Sequence, residues 1–286
     1  MTTAPPLPPP ATWTWLVEAA LAEDIGSGDA TSLAIVPAEL TGLAALEARE
    51  PFTLAGIGVA RQVFALEGID LEPECSDGTC CERGQVIARV RGSARGILAA
   101  ERTALNFLQR LSGIATNVHN YCTAVRGTRA AIVDTRKTTP GWRSLEKYAV
   151  ACGGGTNHRF GLHDGILIKD NHIAIAGSVT DAVKRARAAA TSAGLRIQVE
   201  VESLDMAHEA IAAGAEALVI DNQPPSVVRQ IVEIAAGLST EATGGVTLES
   251  VAELARTDVA RISIGALTHS ARAVDISLEW SGRSTT

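Results

Sequence analysis

Aromatic side chains are scarce in this sequence: four Trp, four Phe and two Tyr make up 3% of 286 residues. With hydrophobic content at 46%, the core must be packed from Ala, Val, Leu and Ile. A chain of this length can bury a sizeable one, in one large α/β domain or in a barrel with a smaller partner. Long apolar runs are missing as well, and none approaches the roughly 18 residues that a membrane span needs. The start, MTTAPPLPPPATW, has neither a basic region nor an apolar signal segment, so it reads as a flexible Pro-rich leader on a cytoplasmic protein. The five cysteines (Cys75, Cys80, Cys81, Cys122, Cys152) are an odd number without paired C-x-x-C spacing, which argues against a disulfide scaffold and a structural zinc site. Excess basic charge is absent too. A formal charge of −7 and a pI near 5.4 argue against nucleic acid as a partner, since duplex binding rests on cations meeting phosphate.

Against that acidic background, residues Asp134 to His172 collect cations: six of the 25 Lys and Arg residues (Arg136, Lys137, Arg143, Lys147, Arg159, Lys169) and three of the six His, against four acids. A solvated basic face is the ordinary reading of such a run. The placement argues otherwise. Arg136 and Lys137 follow the apolar run Ala130 to Val133, and Lys169 follows Ile166 to Ile168, so both runs look like buried strands ending in charge. Between them Gly153, Gly154 and Gly155 form a flexible or close-approach turn beside Asn157, His158 and Arg159, where backbone N–H groups and cations could meet an anion. The pattern suits a pocket for a small polyanion.

In chain order, Trp13 to Leu21 has helical spacing and stops near Gly26, with Trp13 and Trp15 read as core or interface packing. From Leu43 to Arg91, short alternating runs split by glycines suggest small antiparallel strands around a helix at Gly58 to Leu66. A long helical pattern follows, Ile97 to Leu111, on which Arg102 and Arg110 would ordinarily be solvated. After Ser112 and Gly113, short apolar runs alternate with Ala-rich helices: Ala131 to Val133, Ile166 to Ile168, Ile197 to Val201, Ala217 to Ile220, Leu238 to Ala242 and Arg261 to Ile264. Six strand–helix units imply a parallel sheet with covered faces, closed or nearly closed into a barrel. Nearly every run ends in a polar group (Asp134, Lys169, Glu200, Asp221, Glu241, Ser263), and reacting groups of such barrels sit at the C-terminal strand ends.

Thr243, Gly244 and Gly245 follow one of the last two runs, and Gly265 and Ala266 the other. One Gly-Gly pair is an ordinary turn, but two glycine turns in the last two units suit a phosphate held on backbone N–H groups. Glu200 and Glu202 share a strand face, toward the interior if Val199 and Val201 face the helices. Such carboxylates need a cation. One reading is a structural salt bridge from Glu200 to Lys169; the other is sugar hydroxyls or a hard metal such as Mg²⁺ bound through oxygen and water.

The linked motifs DTRKTTPGWRSLEKYAVACGGGTNHRFGL, LIKDNH, VEVES, VIDN, EATGGV and ISIGALTHS, preceded by EDIGSGDATS and AERTALNFLQRLSGIAT, closely resemble the quinolinate phosphoribosyltransferase family over nearly the whole chain. Thr243 departs from the family's usual Ser in EASGG but keeps the hydroxyl. The resemblance implies an N-terminal α/β sandwich, an α+β open sandwich, followed by an incomplete (β/α) barrel of the type II phosphoribosyltransferase kind. Four stretches result: a leader at 1–11, the N-terminal domain at 12–112, the barrel at 113–270 and a C-terminal segment at 271–286 free to pack on the N-terminal domain. The implied assembly is a homodimer, or a higher oligomer built from dimers, with one subunit's N-terminal domain over the other's barrel mouth.

Quinolinate, phosphoribosyl pyrophosphate and Mg²⁺ are the implied substrates and cofactor, with nicotinate mononucleotide, pyrophosphate and CO₂ as products. By motif position the resemblance assigns Arg102 (across the dimer), Thr135, Arg136, Lys137, His158, Arg159 and Lys169 to ligand binding. Glu200 and Asp221 would face ribose hydroxyls and Mg²⁺, and Thr243, Gly244, Gly245, Gly265 and Ala266 the 5′-phosphate, with His269 nearby. Lys137, Lys169, Glu200 and Asp221 form the expected catalytic group. Three rival readings remain: Lys169 as the Schiff-base lysine of an aldolase-like lyase, a non-enzymatic phosphate-ligand sensor, and a same-fold paralogue acting on another ring acid.

Overall fold

The computed structural model describes residues 5–190 and 194–283; residues 1–4 of the Pro-rich leader and 284–286 of the C-terminal segment lie outside that range. In chain order the strands are β1 (Thr41–Ala48), β2 (Phe52–Thr53), β3 (Asp70–Pro73), β4 (Cys80–Cys81), β5 (Val86–Ser93), β6 (Ala131–Val133), β7 (Ile166–Ile168), β8 (Ile197–Val201), β9 (Ala217–Asp221), β10 (Ser239–Thr243), β11 (Arg261–Ser263) and β12 (Ile276–Arg283). The helices used below are α1 (Thr14–Ile25), α2 (Ala30–Ile35), α3 (Ile57–Leu66), α4 (Ala94–Ala124) and α5 (Arg143–Cys152). The chain forms two compact units from interleaved stretches: residues 1–119, 138–154 and 267–286 in the first, 120–137 and 155–266 in the second.

The first unit carries an antiparallel sheet of order β12-β1-β5-β3 and a short β2-β4 pair. The C-terminal strand β12 aligns with β1 from Gly42↔Arg283 to Ala48↔Ile276. Helix α2 starts on the Asp29 carboxylate, which accepts from the N–H groups of Thr31 and Ser32. Helix α3 starts on the buried Asp77, whose oxygens accept from Gly56 N (3.0 Å), Ile57 N (3.1 Å) and Tyr148 Oη. Trp13 is core, with its indole N–H donating to Pro8 O, whereas Trp15 is half exposed. All five cysteines are free.

The helix expected over Ile97 to Leu111 does not stop at Ser112 and Gly113: α4 runs through them to Ala124. These residues, which marked a boundary in the sequence, serve packing. Ser112 Oγ meets both the N–H and the C=O of Ala55. A Cβ on Gly113 would lie 2.0 Å from the carbonyl oxygen of Arg272, so the glycine lets the C-terminal segment pass against the helix. Gly153 acts similarly: a Cβ there would lie 2.4 Å from Ala115 O, so this glycine seats α5 on α4 instead of lining an anion site. Arg110, expected to be solvated, donates to Glu146 Oε1 (3.0 Å), Thr268 O (2.5 Å) and Ala271 O (2.9 Å), and Glu146 is fully buried.

The second unit is the parallel sheet, of order β6-β11-β10-β9-β8-β7. Sequence neighbours β6 and β7 are its two edges, so the barrel is incomplete, as the sequence implied. In β8, Ile197, Val199 and Val201 are buried while Gln198 and Glu200 are only partly covered, the alternation of a strand with helices on one side. Glu202 lies beyond the strand and is exposed, so it does not share the covering of Glu200.

Candidate active site

Strand register builds the site. Glu200 pairs with Val219, Val219 with Glu241, and Glu241 with Arg261, while Ile168 pairs with Val199 and so brings Lys169 to the level of Glu200. Side chains paired in register share a sheet face, so one row carries Lys169, Glu200, Val219, Glu241 and Arg261. Its charges settle into pairs. Lys169 Nζ donates to both oxygens of Glu200 at 3.1 and 3.0 Å, and Arg261 Nε lies 3.2 Å from Glu241 Oε2. The salt-bridge reading of Glu200 is thus the contact the structure shows. An ammonium held by a carboxylate is unlike the desolvated amine of a Schiff-base lysine. One step further along, Asp221 pairs with Thr243 at the ends of β9 and β10.

The loops after β6 and before β7 bring the other cations. Asp134 is fully buried and accepts from His158 N at 2.8 Å, so the strand end fixes the start of the Asn157–Arg159 turn. Arg159 Nη1 donates to Gly165 O at 2.8 Å. The guanidinium is held below its usual pKa, first by burial and then by repulsion from Arg136, with Asp164 acting the other way. The positive field of Arg136 thus reaches the Arg159 guanidinium, so both cations belong to one side of the site. Thr135 Oγ1 accepts from the Lys137 N–H at 3.0 Å, turning the chain so that Lys137 is exposed.

The turn after β10 requires glycine. Gly244 has φ +92°, and a Cβ there would sit 2.2 Å from Asn222 Oδ1 and 2.9 Å from Asn222 N. Asn222 itself has φ 52°, a left-handed conformation that Asn tolerates better than most residues, and its N–H donates to Thr243 O at 2.9 Å. Gly245 (φ +57°) faces open space. The ends of β9 and β10 are thus locked together below an open, glycine-lined turn. Gly265 and Ala266 follow β11 in the same unit.

Two predicted residues belong to the first unit. Arg102 is exposed on α4, and His269 is exposed with Nδ1 2.6 Å from Ser270 Oγ. Asp134, Glu241 and Arg261 were not among the predicted ligands, yet they hold the second unit's site together. The sequence flagged Asp134 and Glu241 only as polar strand ends.

Six parallel strands with charged groups gathered at their C-terminal ends define an α/β-barrel enzyme for a small polyanion. Residues 29–112 match the N-terminal domain of quinolinate phosphoribosyl transferase, and residues 114–279 match its C-terminal domain. The chain belongs to the quinolinate phosphoribosyltransferase family. A relative from Bacillus subtilis (strain 168), named probable nicotinate-nucleotide pyrophosphorylase (carboxylating), is 46% identical over 260 residues, covering 90% of this chain and 89% of its own. Nicotinate-nucleotide pyrophosphorylase (carboxylating) of Mycobacterium leprae (strain TN) is 44% identical over 272 residues, 92% of this chain and 95% of its own. The solved structure of the nicotinate-nucleotide pyrophosphorylase from Francisella tularensis superposes with TM-score 0.91 at 38% identity, over 96% of this chain and 97% of that one.

Proposed function

We propose that this chain transfers the phosphoribosyl group of phosphoribosyl pyrophosphate to quinolinate, with loss of the 2-carboxylate, giving nicotinate mononucleotide, pyrophosphate and CO₂ for NAD synthesis. The observation that carries this reading is the gathering of Arg136, Arg159 and Lys169 at the strand ends of the second unit, where buried Asp134 fixes the turn that bears Arg159. Quinolinate has two adjacent carboxylates, and two planar, bidentate donors suit them better than point charges do. Thr135, Lys137, His158 and Lys169 complete this side of the site, and Arg102 of the partner subunit closes it. Thr243, Gly244, Gly245, Gly265 and Ala266 take the 5′-phosphate; His269 is assigned to the same ligand by motif position.

The pyridine nitrogen attacks the ribose C1 as the C–O bond to pyrophosphate breaks, through a transition state with oxocarbenium character. Positioning and cationic stabilisation of the leaving group by Lys137 and Lys169 carry most of the rate. The ring nitrogen, now quaternary, accepts the electron density left at C2 when CO₂ departs, and C2 takes up a proton. No covalent bond to the enzyme is required. Glu200 releases Lys169 when the donor binds and then meets the ribose hydroxyls with Asp221.

Glu200 and Asp221 are hard oxygen donors, and among the described residues no group of three or more His, Cys, Asp or Glu forms a metal cage. That set fits Mg²⁺, which keeps water and takes further ligands from substrate phosphates. Glu200 and Asp221 would hold such an ion, which would supply charge neutralisation for the diphosphate. The working form is a homodimer in the cytoplasm, without nucleic-acid or membrane partners. Exposed Trp15, Leu33, Ile35, Leu98 and Trp280 on the first unit support a partner surface. No helix among the described residues is long and apolar enough to cross a membrane.

The test is product formation from quinolinate, with nicotinate in parallel, in the presence of phosphoribosyl pyrophosphate and Mg²⁺, following CO₂ and the mononucleotide. Turnover with quinolinate alone is expected. Turnover with nicotinate, or tight donor binding without CO₂ release, would hand the acceptor site to the paralogue or sensor reading.

A further inference from the structure

The His158 ring is engaged on two sides. Its Nδ1 lies 2.7 Å from the main-chain N of Arg159, and its Nε2 lies 3.5 Å from Glu241 Oε1. A main-chain N–H can only donate, so Nδ1 must accept, and the ring proton sits on Nε2, facing the carboxylate. Both side chains are buried, at 8% and 5% exposure. Glu241 is itself fixed by Arg261 Nε (3.2 Å) and a hydrogen bond with Ser263, with Asp134 and Arg196 in its field. The ring therefore holds the backbone at Arg159. At the far end of the same residue, the guanidinium donates to Gly165 O. Arg159 is pinned at both ends.

We propose that Glu241 is a positioning residue for the acceptor clamp: it holds the His158 Nε2–H, the ring holds the Arg159 main chain, and Arg159 is thereby aimed before quinolinate arrives. His158 then also acts through Arg159. This rests on the assignment of Arg159 to the acceptor carboxylates. Pre-organisation of this kind lowers the cost of ordering a long side chain on binding. Glu241 lies two residues before Thr243 on β10, so a merely structural role in that strand would disturb the phosphate turn first.

The experiment is a double-mutant cycle on the full-length protein with Glu241→Gln and His158→Asn, reading the KM for each substrate. Glu241→Gln keeps an acceptor oxygen but removes its charge, and should raise the quinolinate KM about tenfold, the difference between a charge-assisted and a neutral contact. The phosphoribosyl pyrophosphate KM should stay within about twofold, and in the His158→Asn background Glu241→Gln should add less than about twofold to the quinolinate KM. Equal rises in both KM values, or effects that multiply, would overturn the proposal. Nitrogen-15 NMR of the wild-type His158 ring reads the same pair without a variant that could misfold: a proton on Nε2 and none on Nδ1 is expected, and the reverse overturns it. Failure of the acceptor assignment would show differently, as absence of quinolinate turnover by the wild-type protein.

Discussion

Arg159→Ala separates binding from stability most cleanly. Two effects on the free protein oppose each other. The variant loses the bond from Nη1 to Gly165 O, worth about 1–2 kcal/mol for a charged donor in a partly open site. It also removes a partly buried cation whose charge is disfavoured first by burial and then by Arg136, which offsets part of that loss. The terms oppose, so the melting temperature should move by no more than about 4 °C, the scale of about 1 kcal/mol in a chain this long. Binding has no such compensation. Losing a bidentate guanidinium–carboxylate contact, about 1.5–3 kcal/mol, should raise the quinolinate KM or Kd by roughly 10- to 150-fold. Calorimetric melting, with steady-state kinetics or titration where turnover is lost, gives both numbers. A large drop in melting temperature with an unchanged quinolinate KM would make Arg159 a structural residue and refute the reasoning.

Gly113→Ala should gain about 1 kcal/mol of helix propensity but lose more to the clash with Arg272 O, for a net fall of about 4–8 °C in melting temperature; an unchanged value would mean that the C-terminal segment does not press on α4. Gly244→Ala should raise the phosphoribosyl pyrophosphate KM at least about tenfold and destabilise more than Gly245→Ala, which meets open space and carries only backbone strain of about 1–2 kcal/mol. Equal effects of the two substitutions would remove Asn222 from the account. Burial pushes the Cys81 and Cys152 thiols up to about 12, so in native protein at mildly alkaline pH both should resist iodoacetamide until denaturant is added, whereas exposed Cys80 should react. Rapid native labelling of Cys152, followed by mass spectrometry, would contradict its placement.

The parallel sheet was legible because each strand is a short apolar run closed by a polar residue, a local signal. The cation cluster was legible for the same reason, since Arg136, Lys137 and Lys169 immediately follow their strands. What escaped depends on distant chain. Gly113 looks like a helix stop until Arg272 is placed 2.0 Å from its missing Cβ, and Arg110 looks solvated until Glu146, Thr268 and Ala271 surround it. Glu241 looked like one polar strand end among six. Only the register, which sets it beside Arg261 and opposite the His158 turn, separates it from the others. The salt bridge between Lys169 and Glu200 is one of two readings that the sequence leaves open, and it forms because the register sets the two residues at one level.

The central claim is that two arginines read two carboxylates. The most direct measurement compares the affinities of pyridine-2,3-dicarboxylate, pyridine-2-carboxylate and pyridine-3-carboxylate for the wild-type protein by titration calorimetry. The account predicts that the dicarboxylate binds at least about tenfold tighter than either monocarboxylate, the value of one further charge-assisted contact. Equal affinity for all three would contradict it, leaving the phosphate turn in place but no clamp beside it.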